Sequence, residues 1–176
     1  MQDKLHDYIS LLEALGLDIS NCCDSILNNK VLRESIDLQR DFVCCADTYP
    51  IVLVSQQLLK PHESIDPGRL RELEIDILTR RIIERPILAE INTLVILDGH
   101  HRYHVLKSLG KKKIPALLVD YNDPCVSVGS WRSDWIVSKE LVLRAGLTGS
   151  LLPHKTSRHT LCKPIPTINL SLDRIP

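Results

Sequence analysis

The sequence lacks a net charge, a long apolar run and a secretory signal. Lys and Arg together number 22, as do Asp and Glu, so the chain has no overall positive field like that of a DNA-coating protein. No apolar stretch approaches the roughly 18 residues of a membrane span, and the acidic, amphipathic start has no basic flank or apolar centre. These absences predict a soluble, cytoplasmic protein without a membrane partner, and they argue against a nucleic acid as partner.

The six cysteines also lack the CxxC spacing of a structural zinc site. They form two adjacent pairs, Cys22-Cys23 and Cys44-Cys45, and two single residues, Cys125 and Cys162. One member of each pair could form a disulfide bond that ties down the N-terminal segment. We favour the simpler interpretation, in which the cysteines are small, buried apolar side chains.

Length and composition fit one domain with appendages. The chain has 176 residues, of which 44% are hydrophobic and 25% charged, which is enough to close one substantial core. We expect a helical N-terminal extension over 1–48, packed on a mixed α/β domain over 49–176. The proline-rich end, 151–176, is expected to be an extended arm that lies over the domain.

Hydrophobic periodicity predicts the order strand, helix, hairpin, helix, strand for the middle of the chain. The predicted strands are 51–54, 86–89, 94–97, 114–119 and 126–131, and the predicted helices are 5–16, 66–80, 100–110 and 138–145, the last closed by Gly146. Residues 31–38 are consistent with a short helix and 47–50 with a turn.

A turn rich in hydrogen-bond donors follows the predicted strand 94–97. Its sequence is Asp98-Gly99-His100-His101-Arg102, in which the glycine permits a tight turn and the first free amides of the helix can face an anion. Histidine and arginine in a first helical turn oppose the helix dipole, so their presence favours a bound anion such as phosphate over a solvated turn. Asp98 suits either Mg²⁺ on nucleotide phosphates or an ordinary N-cap role.

Three ordered blocks of the sequence resemble those of the free-serine kinases within the ParB/sulfiredoxin fold superfamily. They are Lys60-Pro61-His62-Glu63, the segment from Val95 to Tyr103, and Lys155-Thr156-Ser157-Arg158-His159, with Trp131 between the second and the third. The resemblance covers about residues 50–170. It implies a ParB/sulfiredoxin-like fold and an enzyme that phosphorylates L-serine to O-phospho-L-serine with a nucleotide and Mg²⁺, in serine or cysteine metabolism.

The resemblance also implies a role for each matching residue. Glu63 would be the general base on the serine hydroxyl. The phosphate turn would hold the nucleotide, with Asp98 binding Mg²⁺ and His100 taking part in catalysis; its members are Asp98, Gly99, His100, His101 and Arg102. The serine pocket would be formed by Trp131, Thr156, Ser157, Arg158 and His159, among which Arg158 and His159 are suitable donors for a carboxylate.

The sequence says less about the nucleotide that donates the phosphate and about the oligomeric state. Members of the family that use ADP carry extra sequence before the third block, whereas roughly two dozen residues separate Trp131 from Lys155 here, so we favour ATP over ADP. A monomer or a homodimer is expected.

Other branches of the superfamily supply the alternatives. A partition protein would need a helix-turn-helix region that this chain lacks. Sulfiredoxin would need a catalytic cysteine in place of His100. A ParB-like DNA-binding or regulatory protein that binds a nucleotide without kinase activity stays open.

Overall fold

The computed structural model describes residues 20–46 and 49–176, so the helix predicted over 5–16 lies outside the described residues. The helices are α1 (Ser20–Asn28), α2 (Lys30–Ser35), α3 (Leu38–Asp41), α4 (Pro67–Arg80), α5 (His100–Ser108) and α6 (Lys139–Thr148). The strands are β1 (Phe42–Ala46), β2 (Tyr49–Ser55), β3 (Ile82–Ile83), β4 (Ile87–Glu90), β5 (Ile96–Asp98), β6 (Lys113–Val119), β7 (Val126–Ser130), β8 (Ser157–Leu161) and β9 (Leu170–Ser171). A 3₁₀ helix, Leu172–Arg174, follows β9.

A five-stranded mixed sheet in the order β1-β2-β6-β4-β5 forms the centre of the fold. The β4/β6 pair is parallel, and the other three pairs are antiparallel. Strands β2, β4 and β6 are buried over most of their lengths, which is why they read in the sequence as continuous apolar runs. The predicted mixed α/β architecture is confirmed.

The core lies on both faces of this sheet. Along β6, Ala116 and Leu118 belong to a cluster shared with α1, α4 and α5, whereas Leu117 and Val119 belong to a second cluster shared with β7 and α6. Successive residues of a strand point to opposite faces, so a doubly buried strand contributes to both clusters. Among the described residues, no helix has the length and apolar character needed to cross a membrane.

Two glycines fix the entry to α5 and the position of α6. Gly99 has φ = 91°, and a Cβ there would lie 2.8 Å from Ile87 Cγ2, so the turn between β5 and α5 requires glycine. Gly146 was expected to end α6, but it lies within the helix, where a Cβ would come 2.6 Å from Val95 Cγ1. Gly146 therefore serves close packing, and Gly149, in the left-handed region, ends the helix.

The C-terminal arm is extended and lies on the domain, as predicted, and it also contains regular structure. Strand β8 pairs with β7, and β9 pairs with β3. At the end of the chain the Pro176 carbonyl accepts a hydrogen bond of 2.6 Å from the Lys112 amide. The arm thus brings the third sequence block against the sheet. The division of the chain at residue 48 stays a prediction, and β1, which precedes that point, belongs to the main sheet.

Cys125 and Cys162 form a disulfide bond, so the expectation of buried thiols is wrong for these two residues. Cys125 and Cys162 lie one position beyond the last pair of the β7/β8 ladder, Val126 and Leu161. Their Cα atoms are 4.9 Å apart. Cys44 is a free thiol. The alternative cross-link of the N-terminal cysteines involves side chains outside the described set and stays a prediction.

Replacing both Cys125 and Cys162 by serine should lower the free energy of unfolding by about 3–4 kcal/mol, because the bond closes a loop spanning 37 positions in the unfolded chain. Urea unfolding of oxidised protein measures this loss. Cys44→Ser is the matched control and should cost under about 1.5 kcal/mol. Equal losses in the two variants would contradict the prediction.

Candidate active site

Backbone pairing brings the three sequence blocks together. The Lys60 amide donates to Leu94 O at 2.9 Å, and the Ile96 amide donates to Lys60 O at 2.9 Å, so the loop after β2 runs beside β5. On its other side, the Leu152 amide donates to His62 O at 2.8 Å. The loop that carries Glu63 is therefore held between the segment that leads into the phosphate turn and the C-terminal arm.

Glu63, Ser157 and His62 form a buried hydrogen-bonded cluster. Glu63 Oε1 accepts from both the amide and the hydroxyl of Ser157, each at 2.6 Å. The Ser157 hydroxyl also lies 2.8 Å from His62 Nε2, and His62 Nδ1 lies 2.5 Å from Ile96 O. Only 7% of Glu63 and none of His62 is exposed, so all of these contacts form away from bulk water.

The Glu63 carboxylate is ionised at neutral pH. Burial alone would raise its pKa, but the hydrogen bonds from His62 and Ser157 outweigh burial and lower the pKa to about 2. A buried carboxylate that keeps its charge is a preorganised anion, able to orient a hydroxyl group and to receive its proton.

His100 and His101 both accept hydrogen bonds from the loop that carries Glu63. His100 Nε2 receives the amides of His62 and Glu63 at 3.2 and 3.3 Å, and His101 Nε2 receives the amide of Asp66 at 3.1 Å. Burial lowers the pKa of both rings, that of His100 far below its ordinary value. The two rings are therefore neutral, which differs from the cationic pair expected from the sequence, and each carries its proton on Nδ1.

The first turn of α5 offers free amides and one guanidinium. Gly99 caps the helix without a side-chain hydrogen bond, and Arg102 donates to Asp98 Oδ2 at 3.0 Å. The Asp98 side chain is 58% exposed and so is accessible to a hydrated cation. The described residues contain no cluster of three or more metal-binding side chains. A single carboxylate nevertheless fits Mg²⁺ that is held mainly by nucleotide phosphates and water.

Trp131 and the third block, which the sequence predicts to form the serine pocket, make several separate contacts. The Arg158 guanidinium lies over the Trp131 ring, 4.5 Å from its centroid. Thr156 is fully buried, and its hydroxyl donates to Pro153 O at 2.7 Å, so this side chain holds its own loop. The Tyr121 hydroxyl lies 2.5 Å from His159 Nε2. Of the five residues predicted for the serine pocket, Ser157 thus joins the buried cluster, Trp131 and Arg158 form an exposed pair, and Thr156 and His159 have other partners.

A cleft of about 530 Å³ opens beside this pair and is lined by Trp131, Arg132, His154 and Lys155. Sequence reasoning gave no role to Arg132 or His154, which carry no motif of their own. It also gave none to His62 or Tyr121. For His62 a signal existed, because it is the neighbour of Glu63 within the first block.

Comparisons with known proteins found similar sequences and structures, although no family model matches the sequence. Over 84 residues the chain is 39% identical to an ATP-dependent L-serine kinase of Staphylothermus marinus, covering 46% of this chain and 33% of the relative. Over 83 residues it is 43% identical to a ParB-like protein of Sulfolobus acidocaldarius, covering 47% and 41%. The chain thus matches between a third and two-fifths of the length of these curated relatives.

The solved structures extend the likeness beyond those segments. A free serine kinase in complex with AMP superposes with a TM-score of 0.65 at 17% identity, covering 72% of this chain and 93% of that one. The chain has the fold of the free serine kinases. This serine-kinase fold confirms the fold predicted from the three blocks.

Proposed function

We propose that this protein phosphorylates free L-serine to O-phospho-L-serine, with ATP as donor and Mg²⁺ as the accompanying ion. One observation carries the proposal: the loop that bears a buried, ionised carboxylate is hydrogen-bonded to the first residue of the helix that begins at the phosphate turn. The Glu63 amide donates to His100 Nε2 at 3.3 Å, which supports the proposed pairing of the base with the phosphate turn. The serine-kinase relatives and the shared fold support the same activity.

In the proposed complex the phosphate turn binds the nucleotide. The first amides of α5 and the Arg102 guanidinium bind the phosphate oxygens, and Gly99 lets them approach closely. Bound Mg²⁺, held by Asp98, would neutralise charge on the phosphates. His100 and His101 hold the Glu63 loop through Nε2 and have their Nδ1–H groups as donors.

The third block and Trp131 would bind serine. Arg158, which lies over Trp131, supplies a charged donor for the serine carboxylate. His159, held by Tyr121, and the loop fixed by Thr156 complete the pocket beside Glu63. Ser157 would not contact the substrate but would orient the Glu63 carboxylate through two hydrogen bonds.

Phosphoryl transfer needs little covalent help from such a site. The transition state is loose, so catalysis rests on alignment of the hydroxyl with phosphorus and on stabilisation of the oxygen charges. Glu63 orients the serine hydroxyl and takes its proton as the new O–P bond forms. ATP as donor is supported by the short spacing before the third block and by the ATP-dependent relative. We include in the same proposal that the protein is a cytoplasmic monomer or homodimer, without a membrane or nucleic-acid partner.

The assay that tests the proposal incubates purified protein with L-serine, Mg²⁺ and either ATP or ADP, and follows phosphoserine by ³¹P NMR. We expect phosphoserine with L-serine and ATP, and none with D-serine. Absence of product with both nucleotides would overturn the kinase assignment. Sequence-specific DNA binding without product would instead support the second candidate, a nucleotide-binding regulator, which the similarity to a ParB-like protein favours.

Asp98→Asn should raise the Mg²⁺ concentration needed for half-maximal activity by about tenfold, because the variant loses a charged oxygen ligand. A Mg²⁺ titration at fixed ATP measures the change. The matched control is Asp76→Asn, which removes a carboxylate paired in the same way with an arginine four residues along its helix. An unchanged titration for Asp98→Asn would contradict its assignment to the ion.

A further inference from the structure

The hydrogen bonds around Ser157 need one more proton than a neutral His62, the Ser157 hydroxyl and an ionised Glu63 supply together. Ile96 O can only accept, so the 2.5 Å contact places a proton on His62 Nδ1. The Ser157 hydroxyl has a single proton, yet it lies 2.6 Å from Glu63 Oε1 and 2.8 Å from His62 Nε2. With a neutral imidazole and an ionised carboxylate, one of these two contacts would join two acceptors.

One additional proton satisfies every contact. If His62 Nε2 carries it, the imidazolium donates to Ser157 and Ser157 donates to Glu63. If Glu63 carries it, the same bonds run in the opposite direction. The direct separation of His62 Nε2 and Glu63 Oε1 is 3.5 Å, so Ser157 provides the shorter path between them. His62, Ser157 and Glu63 are thus one unit that can take up one exchangeable proton, and we call them the proton-sharing triad.

We propose that the proton of the substrate hydroxyl ends on His62, transferred from Glu63 through the Ser157 hydroxyl. This inference rests on the proposed kinase function and adds a residue to it. His62 does not touch the substrate. It is a positioning residue that acts through Ser157 and sets how readily Glu63 takes a proton.

Each bond in this transfer is accounted for. As the serine oxygen bonds to the terminal phosphorus, the bond from phosphorus to the leaving nucleotide oxygen breaks, and the hydroxyl proton moves to Glu63. Glu63 then passes a proton to Ser157 Oγ, while the Ser157 hydroxyl proton moves to His62 Nε2. The products are phosphoserine, the shortened nucleotide and a triad that carries one proton, which later leaves to water.

The surroundings of His62 suit a temporary positive charge. Its ring is fully buried, and its Nδ1–H is fixed on a β5 carbonyl. The groups that face it are Glu63 on its own loop, Ser157 and His159 on β8, and His100 on α5. Burial lowers the pKa of His100 and His159, so both neighbouring rings stay neutral and Glu63 supplies the compensating charge. A carboxylate with a low pKa also releases its proton readily to the next acceptor.

Histidine-selective ¹⁵N NMR of the unliganded protein tests the triad without any turnover. We expect His62 to carry one proton, on Nδ1, in the form that accepts the substrate proton, and to gain a second proton on Nε2 as the pH is lowered within the range from 9 to 5. In Glu63→Gln, which removes the compensating charge, the second proton should be taken up only at a lower pH. A His62 ring that stays neutral from pH 5 to 9 in a folded protein would overturn the proposal, whether or not the protein is a kinase.

Kinetics test the role of the triad in catalysis. His62→Asn keeps a donor near Ile96 O but has no second ring nitrogen, so kcat should fall by about 10²-fold with KM for serine changed less than about threefold. The acid limb of the kcat profile, present in the wild type because the protonated triad cannot receive a second proton, should move to lower pH. His104→Asn, a half-buried histidine on α5 outside the triad, is the matched control and should leave kcat unchanged.

The double variant His62→Asn, Ser157→Ala distinguishes a proton relay through both residues from independent structural effects of the two substitutions. Residues that act as one unit are non-additive, so the double variant should be no slower than His62→Asn within about threefold. Multiplied losses, or an unmoved acid limb in His62→Asn, would overturn the relay while leaving the kinase assignment intact. If the wild type makes no phosphoserine at all, the proposed function fails, and the NMR result then decides the triad alone.

Discussion

Replacing Glu63 by glutamine is expected to lower the rate of phosphoserine formation by about 10³-fold, within the range that a positioned general base contributes. The amide oxygen of glutamine can still accept from the Ser157 amide, now 2.6 Å from the carboxylate, so the loop should keep its position. What is lost is the negative charge that orients the serine hydroxyl and receives its proton. Steady-state kinetics with saturating ATP and L-serine measure the change in kcat.

A second buried carboxylate provides the control for this variant. Glu90, at the end of β4, is 2% exposed and accepts from the amides of Asn92 and Thr93, so it stabilises a turn outside the site. Glu90→Gln should cost stability while kcat stays within about twofold of the wild type at temperatures where the protein is folded. Nucleotide binding by Glu63→Gln, followed by calorimetry, should also be retained. A near-normal kcat in Glu63→Gln would show that Glu63 is not the base.

The buried strands and the two helices that flank the site were predictable because their signals are local. Strands β2, β4 and β6 are continuous apolar runs, and α4 begins at an Asp66 N-cap followed by proline, as its sequence indicates. Strands β3 and β9 have only two residues each, too few for any period to be visible. They form because the end of the chain returns to pair with residues 82–83, a long-range contact without a local pattern.

The residues of the site were predictable, but their states were not. The histidines of the phosphate turn read as cationic donors because the sequence places them at a helix start. In the structure His100 is buried, so desolvation favours the neutral ring, and its Nε2 becomes an acceptor for two loop amides. Likewise the disulfide between Cys125 and Cys162 depends on the β7/β8 register, which two isolated cysteines do not reveal.

Lowering the pH from 7 to 4 should remove several kcal/mol of stability, because the buried histidines are neutral in the folded state. Burial and repulsion from His62 lower the pKa of His159 from 6.5 to about 3, and burial lowers that of His100 as well. Below pH 6.5 the unfolded chain binds protons at these rings while the folded protein does not, so stability present above pH 6.5 is lost as the pH falls. For His159 alone the loss reaches about 4 kcal/mol near pH 3.

Urea unfolding at pH 7, 5.5 and 4.5 measures how steeply the free energy of unfolding changes with pH. The His159→Gln variant shows how much of that slope comes from His159. Glutamine can still accept from the Tyr121 hydroxyl, but it binds no proton in the unfolded chain, so the slope should decrease by about 1.4 kcal/mol per pH unit between pH 6 and 4. Repeating the series in about 0.5 M NaCl screens the repulsion among surface charges and should leave this difference in place, since buried groups are screened less. If His159→Gln has the wild-type slope at both salt concentrations, His159 takes up its proton equally readily in the folded and the unfolded chain. Burial would then not lower the pKa of His159, and the assignment of a neutral ring to the folded protein would be wrong.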